Sequence, residues 1–209
     1  MEKNRWFILP AMGATASMYD ALRGELGFKI NFINWPEYRG EKSYSEIARR
    51  VITENRICDG DIVGGSSLGG MVALEIAQKI QPKAVVLIGS AIKAKEVQNL
   101  LSLLSPLAVI TPISLVQVLA GKHKNLVAQM FAKADPKFIR AMCTYLRSWP
   151  GVGVPSEIVF RVHGKKDHIV PCPSAGCEVV ENAGHFVAIT HFKEIASFLE
   201  KISLQLTNH

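Results

Sequence analysis

The chain has 209 residues and a formal net charge of +6, and 48% of its residues are apolar and 20% charged. These values suit a soluble globular protein with one sizeable core, and they exclude a disordered or fibrous chain. Cys172 and Cys177 match no common zinc or redox spacing, and Cys58 and Cys143 stand apart, so we expect reduced thiols. We predict no metal site and no cofactor.

The first half of the chain alternates short apolar runs with helical patterns. Strands are predicted at residues 6–9, 29–34, 61–64 and 84–88, and helices at residues 17–26, 43–56 and 71–80. The run Ala84–Ile88 is continuously apolar between Pro82 and Gly89, as expected for a strand buried on both faces. Strands that alternate with helices favour a parallel sheet with right-handed crossovers.

Between Ser90 and Trp149 the pattern changes, because only helical segments are predicted there. We predict one domain over residues 1–209, with a helical cap inserted at residues 91–150. Residues 97–121 carry no charge, which meets the length criterion for a membrane span. Two prolines and several polar residues interrupt this run, so we favour packed cap helices over a stable membrane span.

The cap region also carries the excess positive charge. Residues 93–150 contain eight basic and two acidic side chains, an excess equal to the +6 of the whole chain. One interpretation of this charge is a helix face exposed to solvent. The alternative is a surface that attracts an anionic or carrier-bound acyl substrate, or an anionic lipid. No aromatic interleaving typical of a nucleic-acid groove is present, so we predict no nucleic-acid partner.

The amino terminus resembles a signal peptide only superficially. Lys3 and Arg5 precede an apolar stretch, but that stretch, Trp6–Leu9, ends at Pro10 and is too short for a signal core. We therefore expect a cytoplasmic protein.

The sequence Gly65-Ser66-Ser67-Leu68-Gly69 has the pattern G-x-S-x-G, directly after an apolar run and before a helical pattern. A serine on so sharp a turn takes a strained backbone angle, so small residues are needed two positions before and after it. Gly65 and Gly69 satisfy that need around Ser67, whereas Leu68 is too bulky if Ser66 is central. The pattern predicts Ser67 as a nucleophile.

Two later segments carry an acid and a histidine. Asp167 lies just past a β-rich run, in the segment His-Gly-Lys-Lys-Asp-His-Ile-Val-Pro. His185 follows a second strand pattern, in Asn-Ala-Gly-His-Phe, and opens a helix predicted to end near Ser203. Each of the two residues is therefore expected on a loop that follows a strand.

These two segments and Gly-Ser-Ser-Leu-Gly-Gly together resemble the serine α/β-hydrolase superfamily, over nearly the whole chain. The resemblance implies an α/β fold in which helices flank a mostly parallel central sheet, with a helical cap insertion. Since Trp6–Leu9 already leads into the expected oxyanion loop, the sheet is predicted to be trimmed to about six strands. Pro171, Pro173 and Gly176 predict loss of the helix that usually separates the acid from the histidine.

The resemblance implies a role for each matched residue. Ser67 attacks an ester carbonyl, His185 takes its proton and later donates it to the leaving alcohol, and Asp167 orients the imidazole. The oxyanion is expected to accept hydrogen bonds from the backbone N–H groups of Met12 and Leu68.

We therefore predict a carboxylesterase-like serine hydrolase that cleaves a small or medium acyl ester through an acyl-enzyme intermediate. Its expected partner is a small-molecule ester or thioester. An acyl thioesterase is the nearest alternative, followed by a non-catalytic ligand-binding protein and by a lyase that uses the same serine and histidine. Glu181 is a weaker alternative to Asp167, because it lies on the strand that leads to His185.

Overall fold

A computed structural model describes residues 5–97 and 134–207 of the chain. The described strands are β1 (Trp6–Leu9), β2 (Asn31–Phe32), β3 (Ile62–Ser66), β4 (Ala84–Ile88), β5 (Val159–Gly164) and β6 (Glu178–Val180). The described α-helices are α1 (Asp20–Glu25), α2 (Tyr44–Asn55), α3 (Leu68–Ala77), α4 (Pro136–Ser148), α5 (Val187–Thr190) and α6 (Phe192–Thr207). Short 3-10 helices span Ala16–Tyr19, Ala94–Val97 and Ser156–Ile158.

The six strands form one parallel sheet in the order β2-β1-β3-β4-β5-β6. This confirms the predicted trimmed parallel sheet. The chain leaves β1 toward β2 and returns to place β3 on the other side of β1, so the direction of strand order reverses between β1 and β3. In open α/β sheets such a reversal creates a crevice at the carboxyl ends of the two strands, and ligands bind there.

Side chains of each strand point alternately to two apolar layers, one on each face of the sheet. On one face Leu9, Val63 and Leu87 pack with the buried sides of α2, α3 and α4. On the other face Ile8 and Val86 pack with α1 and α6. All residues of β1, β3 and β4 are buried, which explains why β1 and β4 are continuous apolar runs.

Several element bounds differ from those predicted. The helix predicted at residues 17–26 begins as a 3-10 turn, and the strand predicted at 29–34 pairs over only two residues at the sheet edge. Helix α3 begins at Leu68, three residues before the predicted start, because the turn at Ser67 leads directly into it. The last helix is divided at His191, whose φ of −132° is not helical.

The predicted cap at residues 91–150 lies largely outside the described residues, which include only its two ends. The single-domain prediction with this insertion therefore stays a prediction, and the uncharged stretch 97–121 falls almost entirely in the undescribed part. No helix in the part that the structure describes has the length and apolar character needed to cross a membrane. As predicted, the segment between Asp167 and His185 contains no helix; turns, bends and the short strand β6 occupy it.

The beginning of α3 packs directly on the loop that follows β1. A Cβ atom on Gly69 would lie 2.5 Å from the carbonyl oxygen of Pro10 and 2.6 Å from that of Leu9. Both neighbours are backbone atoms of a buried strand end, so they have little freedom to move. The contact therefore fixes the distance between the β1 loop and the turn that carries Ser67.

We expect Gly69→Ala to lower the free energy of unfolding by about 2 kcal/mol or more. Core overpacking typically costs roughly 1 to 3 kcal/mol, and here the added Cβ meets backbone atoms. Gly24→Ala is the matched control, because a Cβ on Gly24 meets nothing within 4 Å in α1. Alanine there should stabilise the helix by roughly 0.5 to 1 kcal/mol. Urea denaturation of both variants measures the difference, and equal stabilities would contradict the close approach at Gly69.

Candidate active site

Ser67 lies on a strained turn between β3 and α3. Its φ of 51° and ψ of −119° fall in a region that residues with side chains rarely adopt. The turn is possible because Gly65 and Gly69 meet behind it: a Cβ on Gly65 would lie 2.3 Å from the carbonyl carbon of Gly69. The Ser67 N–H donates to the carbonyl of Ile88 at 3.0 Å, so the turn is also held by the neighbouring strand end.

The structure brings together the three residues predicted as nucleophile, base and acid. The Nε2 atom of His185 lies 2.9 Å from Ser67 Oγ, and its Nδ1 atom lies 2.8 Å from Asp167 Oδ2. Because the carboxylate can only accept, Nδ1 carries the proton and Nε2 is free to accept from the serine hydroxyl. Glu181, the alternative acid, is exposed at the end of β6 and has no such contact with His185 in the described structure.

The carboxylate of Asp167 is buried and surrounded by four donors. Oδ1 accepts from the backbone N–H groups of Ile169 and Val170 at 2.9 and 3.0 Å. Oδ2 lies 2.8 Å from His185 Nδ1 and 3.2 Å from His163 Nε2. Burial raises the pKa of Asp167, but the charge of His185 and the hydrogen bonds from His163, His185 and Val170 outweigh it and hold that pKa well below its usual range.

The loops that carry the acid and the histidine are joined through their backbones. Lys166 donates its N–H to the carbonyl of Ala183 at 2.8 Å. A Cβ on Gly164, at the end of β5, would lie 2.5 Å from the carbonyl oxygen of Gly184. This close contact sets the position of Asp167 relative to His185.

The loop after β1, which contains Met12, is held on several sides. The carbonyl of Ala11 accepts from Trp35 Nε1 at 3.1 Å, and the N–H of Ala11 donates to Met18 Sδ at 3.3 Å. The amide that follows is that of Met12, whose sulfur lies 4.0 Å from the sulfur of Cys143 on α4. Met12 therefore links this loop to the helix at the end of the predicted cap.

The backbone N–H of Leu68, the second predicted oxyanion donor, belongs to the first turn of a helix. Leu68 is the first residue of α3, and the first four N–H groups of a helix have no carbonyl partner within that helix. The N-terminal end of the helix also carries the partial positive charge of the helix dipole. The two predicted oxyanion donors thus lie just past the carboxyl ends of β1 and β3, the strands at the switch point.

Two polar side chains under the turn, Tyr19 and Ser90, were not identified from the sequence. The hydroxyl of Tyr19 lies 2.7 Å from the carbonyl of Leu9 and 2.8 Å from Ser66 Oγ. Ser90 Oγ donates to the carbonyl of Ser67 at 2.6 Å. The signal for Ser90 was its place just after Gly89 at the end of β4, whereas nothing in the local pattern marked Tyr19.

The described residues show no group of three or more histidine, cysteine, aspartate or glutamate side chains suited to a metal ion. A cavity of about 510 Å³ opens beside β2, between residues of α1 and the sheet edge. None of Ser67, Asp167 and His185 lines it. The three residues therefore lie apart from this cavity, beyond the carboxyl ends of β3, β5 and β6.

Comparisons with known proteins agree with this architecture. The sequence model of the alpha/beta hydrolase family matches residues 7–198. A search of curated proteins found no significant match. Among solved structures, a thermophilic esterase from Thermogutta terrifontis shares 16% identity at a TM-score of 0.72, over 97% of this chain and 91% of its own.

Two further solved structures have the same fold. A hydrolase from Oleispira antarctica shares 12% identity at a TM-score of 0.77, over 98% of this chain and 92% of its own. An esterase from Exiguobacterium antarcticum shares 16% identity at a TM-score of 0.68, over 96% and 92%. At these identities the structures show a common fold, and the sequence match covers nearly the whole chain. The chain belongs to the alpha/beta hydrolase family.

Proposed function

We propose that the protein is a serine hydrolase that cleaves carboxylic esters of small or medium acyl groups through an acyl-enzyme intermediate. One observation carries the proposal: an unbroken series of hydrogen bonds runs from Ser67 Oγ through His185 to the buried carboxylate of Asp167. A serine hydroxyl is a weak nucleophile, and a base within hydrogen-bond reach that is itself oriented by a third group is what activates it.

In the proposed mechanism Ser67 Oγ attacks the ester carbonyl while His185 Nε2 accepts its proton. The imidazolium then donates that proton to the leaving alcohol, and an acyl-serine remains. Water attacks the acyl-serine in a second round with the same base. Asp167 holds Nδ1 protonated and stabilises the imidazolium, which its low pKa permits because the carboxylate stays ionised throughout.

The negative charge on the carbonyl oxygen is proposed to be stabilised by the N–H groups of Met12 and Leu68. The contacts of Ala11 and the close packing at Gly69 support this assignment, since both hold the β1 loop against the start of α3. Donors fixed before the reaction stabilise developing charge without the cost of reorientation. This is the largest single contribution in many acyl-transfer enzymes.

The ester substrate class is supported by the kind of protein that shares the fold, since the Thermogutta and Exiguobacterium structures are described as esterases. A thioester reaches the same acyl-serine, so a panel of short p-nitrophenyl esters and acyl thioesters of equal chain length separates the two. Faster acylation by the esters supports the proposal. A consistent preference for the thioesters would replace it with the thioesterase alternative.

We expect a fluorophosphonate probe to add once to the wild-type protein and not to Ser67→Ala, as measured by intact mass. Turnover of the same esters should fall by a factor on the order of 10⁶. Ser66→Ala is the matched control, because Ser66 is the neighbouring hydroxyl and bonds Tyr19 instead of His185. The Ser66→Ala protein should still react with the probe. If Ser66→Ala does not react and Ser67→Ala does, the nucleophile is Ser66 instead.

We expect kcat/KM for ester hydrolysis to fall as the pH decreases from about 8 to about 5, where histidines usually titrate. The reason is that protonated His185 can no longer accept the serine proton. Asp167 does not produce this fall, because its pKa lies well below that range. A rate that stays constant across these pH values would argue against His185 as the base.

We expect Asp167→Asn to lower kcat by about 10⁴, since an amide at this position no longer holds the correct imidazole tautomer. Glu181→Gln makes the same chemical change at the exposed alternative acid and should leave kcat unchanged. Steady-state kinetics on the two folded variants provide the measurement. Comparable losses in both, or a larger loss in the Glu181 variant, would move the acid assignment.

A further inference from the structure

A second histidine contacts the acid and has no part in the mechanism above. His163 lies on β5, four positions before Asp167, and is fully buried. Its Nε2 atom lies 2.7 Å from the carbonyl oxygen of Val170 and 3.2 Å from Asp167 Oδ2. Its other ring nitrogen, Nδ1, is buried and has no hydrogen-bond partner among the described residues.

These contacts determine the protonation of His163. A carbonyl oxygen only accepts, so at 2.7 Å the Nε2 atom must carry the proton. A proton on Nδ1 would leave a buried donor without an acceptor, which is costly. Nε2 of His163 therefore carries a proton that it donates to the Val170 carbonyl, and the same nitrogen lies 3.2 Å from Asp167 Oδ2.

The hydrogen bond from His163 to Val170 ties the acid loop to β5. Val170 donates its own N–H to Asp167 Oδ1 while its carbonyl accepts from His163, so residues 167–170 close around the carboxylate. No helix follows this loop to support it, because the chain continues through turns to β6. The carbonyl of Val170 is held instead by the side chain of His163, which belongs to β5.

We propose that His163 is a positioning residue for the acid: its Nε2–H holds the Val170 carbonyl and one oxygen of Asp167, and so keeps the carboxylate in line with His185. The groups that bond Asp167 come from three places in the fold. His163 belongs to β5, the two backbone donors to the acid loop, and His185 to the loop before α5. This proposal rests on the proposed serine hydrolase function.

The test compares His163→Phe, which keeps a buried ring without a donor, with His163→Gln, whose amide N–H can reach the same acceptors. The readout is kcat for ester hydrolysis per active site titrated with fluorophosphonate, so that unfolded molecules are not counted. We expect His163→Phe to lower kcat on the order of tenfold to a hundredfold with little change in KM, as for a misplaced catalytic group. His163→Gln should recover most of the loss.

His168→Phe is the matched control, because His168 is the exposed histidine next to Asp167. Its kcat should equal that of the wild type. If His163→Phe does not fold, His163→Asn takes its place, since its amide is one methylene shorter than that of glutamine and falls short of Val170. Unchanged kcat per titrated site in these variants, or equal loss in His163→Gln, would overturn the positioning role.

A second test of the His163 proposal uses the wild-type protein and does not depend on enzyme activity. Imidazole ¹⁵N resonances, recorded at the pH of the activity assay, should show a proton on Nε2 of His163. A His163 ring that carries its proton on Nδ1 alone would overturn the proposal. A wild-type protein that neither reacts with fluorophosphonate nor hydrolyses esters would instead refute the serine hydrolase function, and the two failures are thus distinguishable.

Discussion

The close approach of backbone to backbone around Ser67 is the constraint on which the rest of the site depends. Gly65 and Gly69 touch across the turn, and Gly69 also touches the end of β1. These contacts hold Ser67 at a positive φ. They also set the β1 loop beside the first turn of α3. One packing arrangement therefore positions the proposed nucleophile and both proposed oxyanion donors together.

The strain at Ser67 is balanced by hydrogen bonds beneath it. A phenol has one proton, and the carbonyl of Leu9 can only accept, so Tyr19 donates to Leu9 and accepts from Ser66. With Ser90 bonded to the carbonyl of Ser67, each polar group under the turn has a partner. Such satisfied polar networks in a core favour a single arrangement over alternatives of similar energy.

Much of this arrangement was predictable because it depends on local patterns. The order of strands and helices, the elbow at Ser67 and the loops of Asp167 and His185 each follow from a few adjacent residues. The start of α3 was not predictable, because its second and third residues are glycines, which disfavour a helix in sequence-based prediction. The helix starts there because the turn at Ser67, with its positive φ, leads directly into it. His163 and Tyr19 were missed for another reason: their partners are defined by three-dimensional contact, and an apolar strand position predicts only burial.

The short turn-rich connection between β5 and β6 has a consequence for how the site forms during folding. Asp167 and His185 are 18 positions apart in the chain, whereas His185 and Ser67 are 118 apart. Closing the short loop costs less chain entropy than closing the long one. The contact of Asp167 with His185 can therefore form early as a local unit. The contact of Ser67 with His185 spans the longer loop and needs the pairing of β4 with β5, so we expect it to form later.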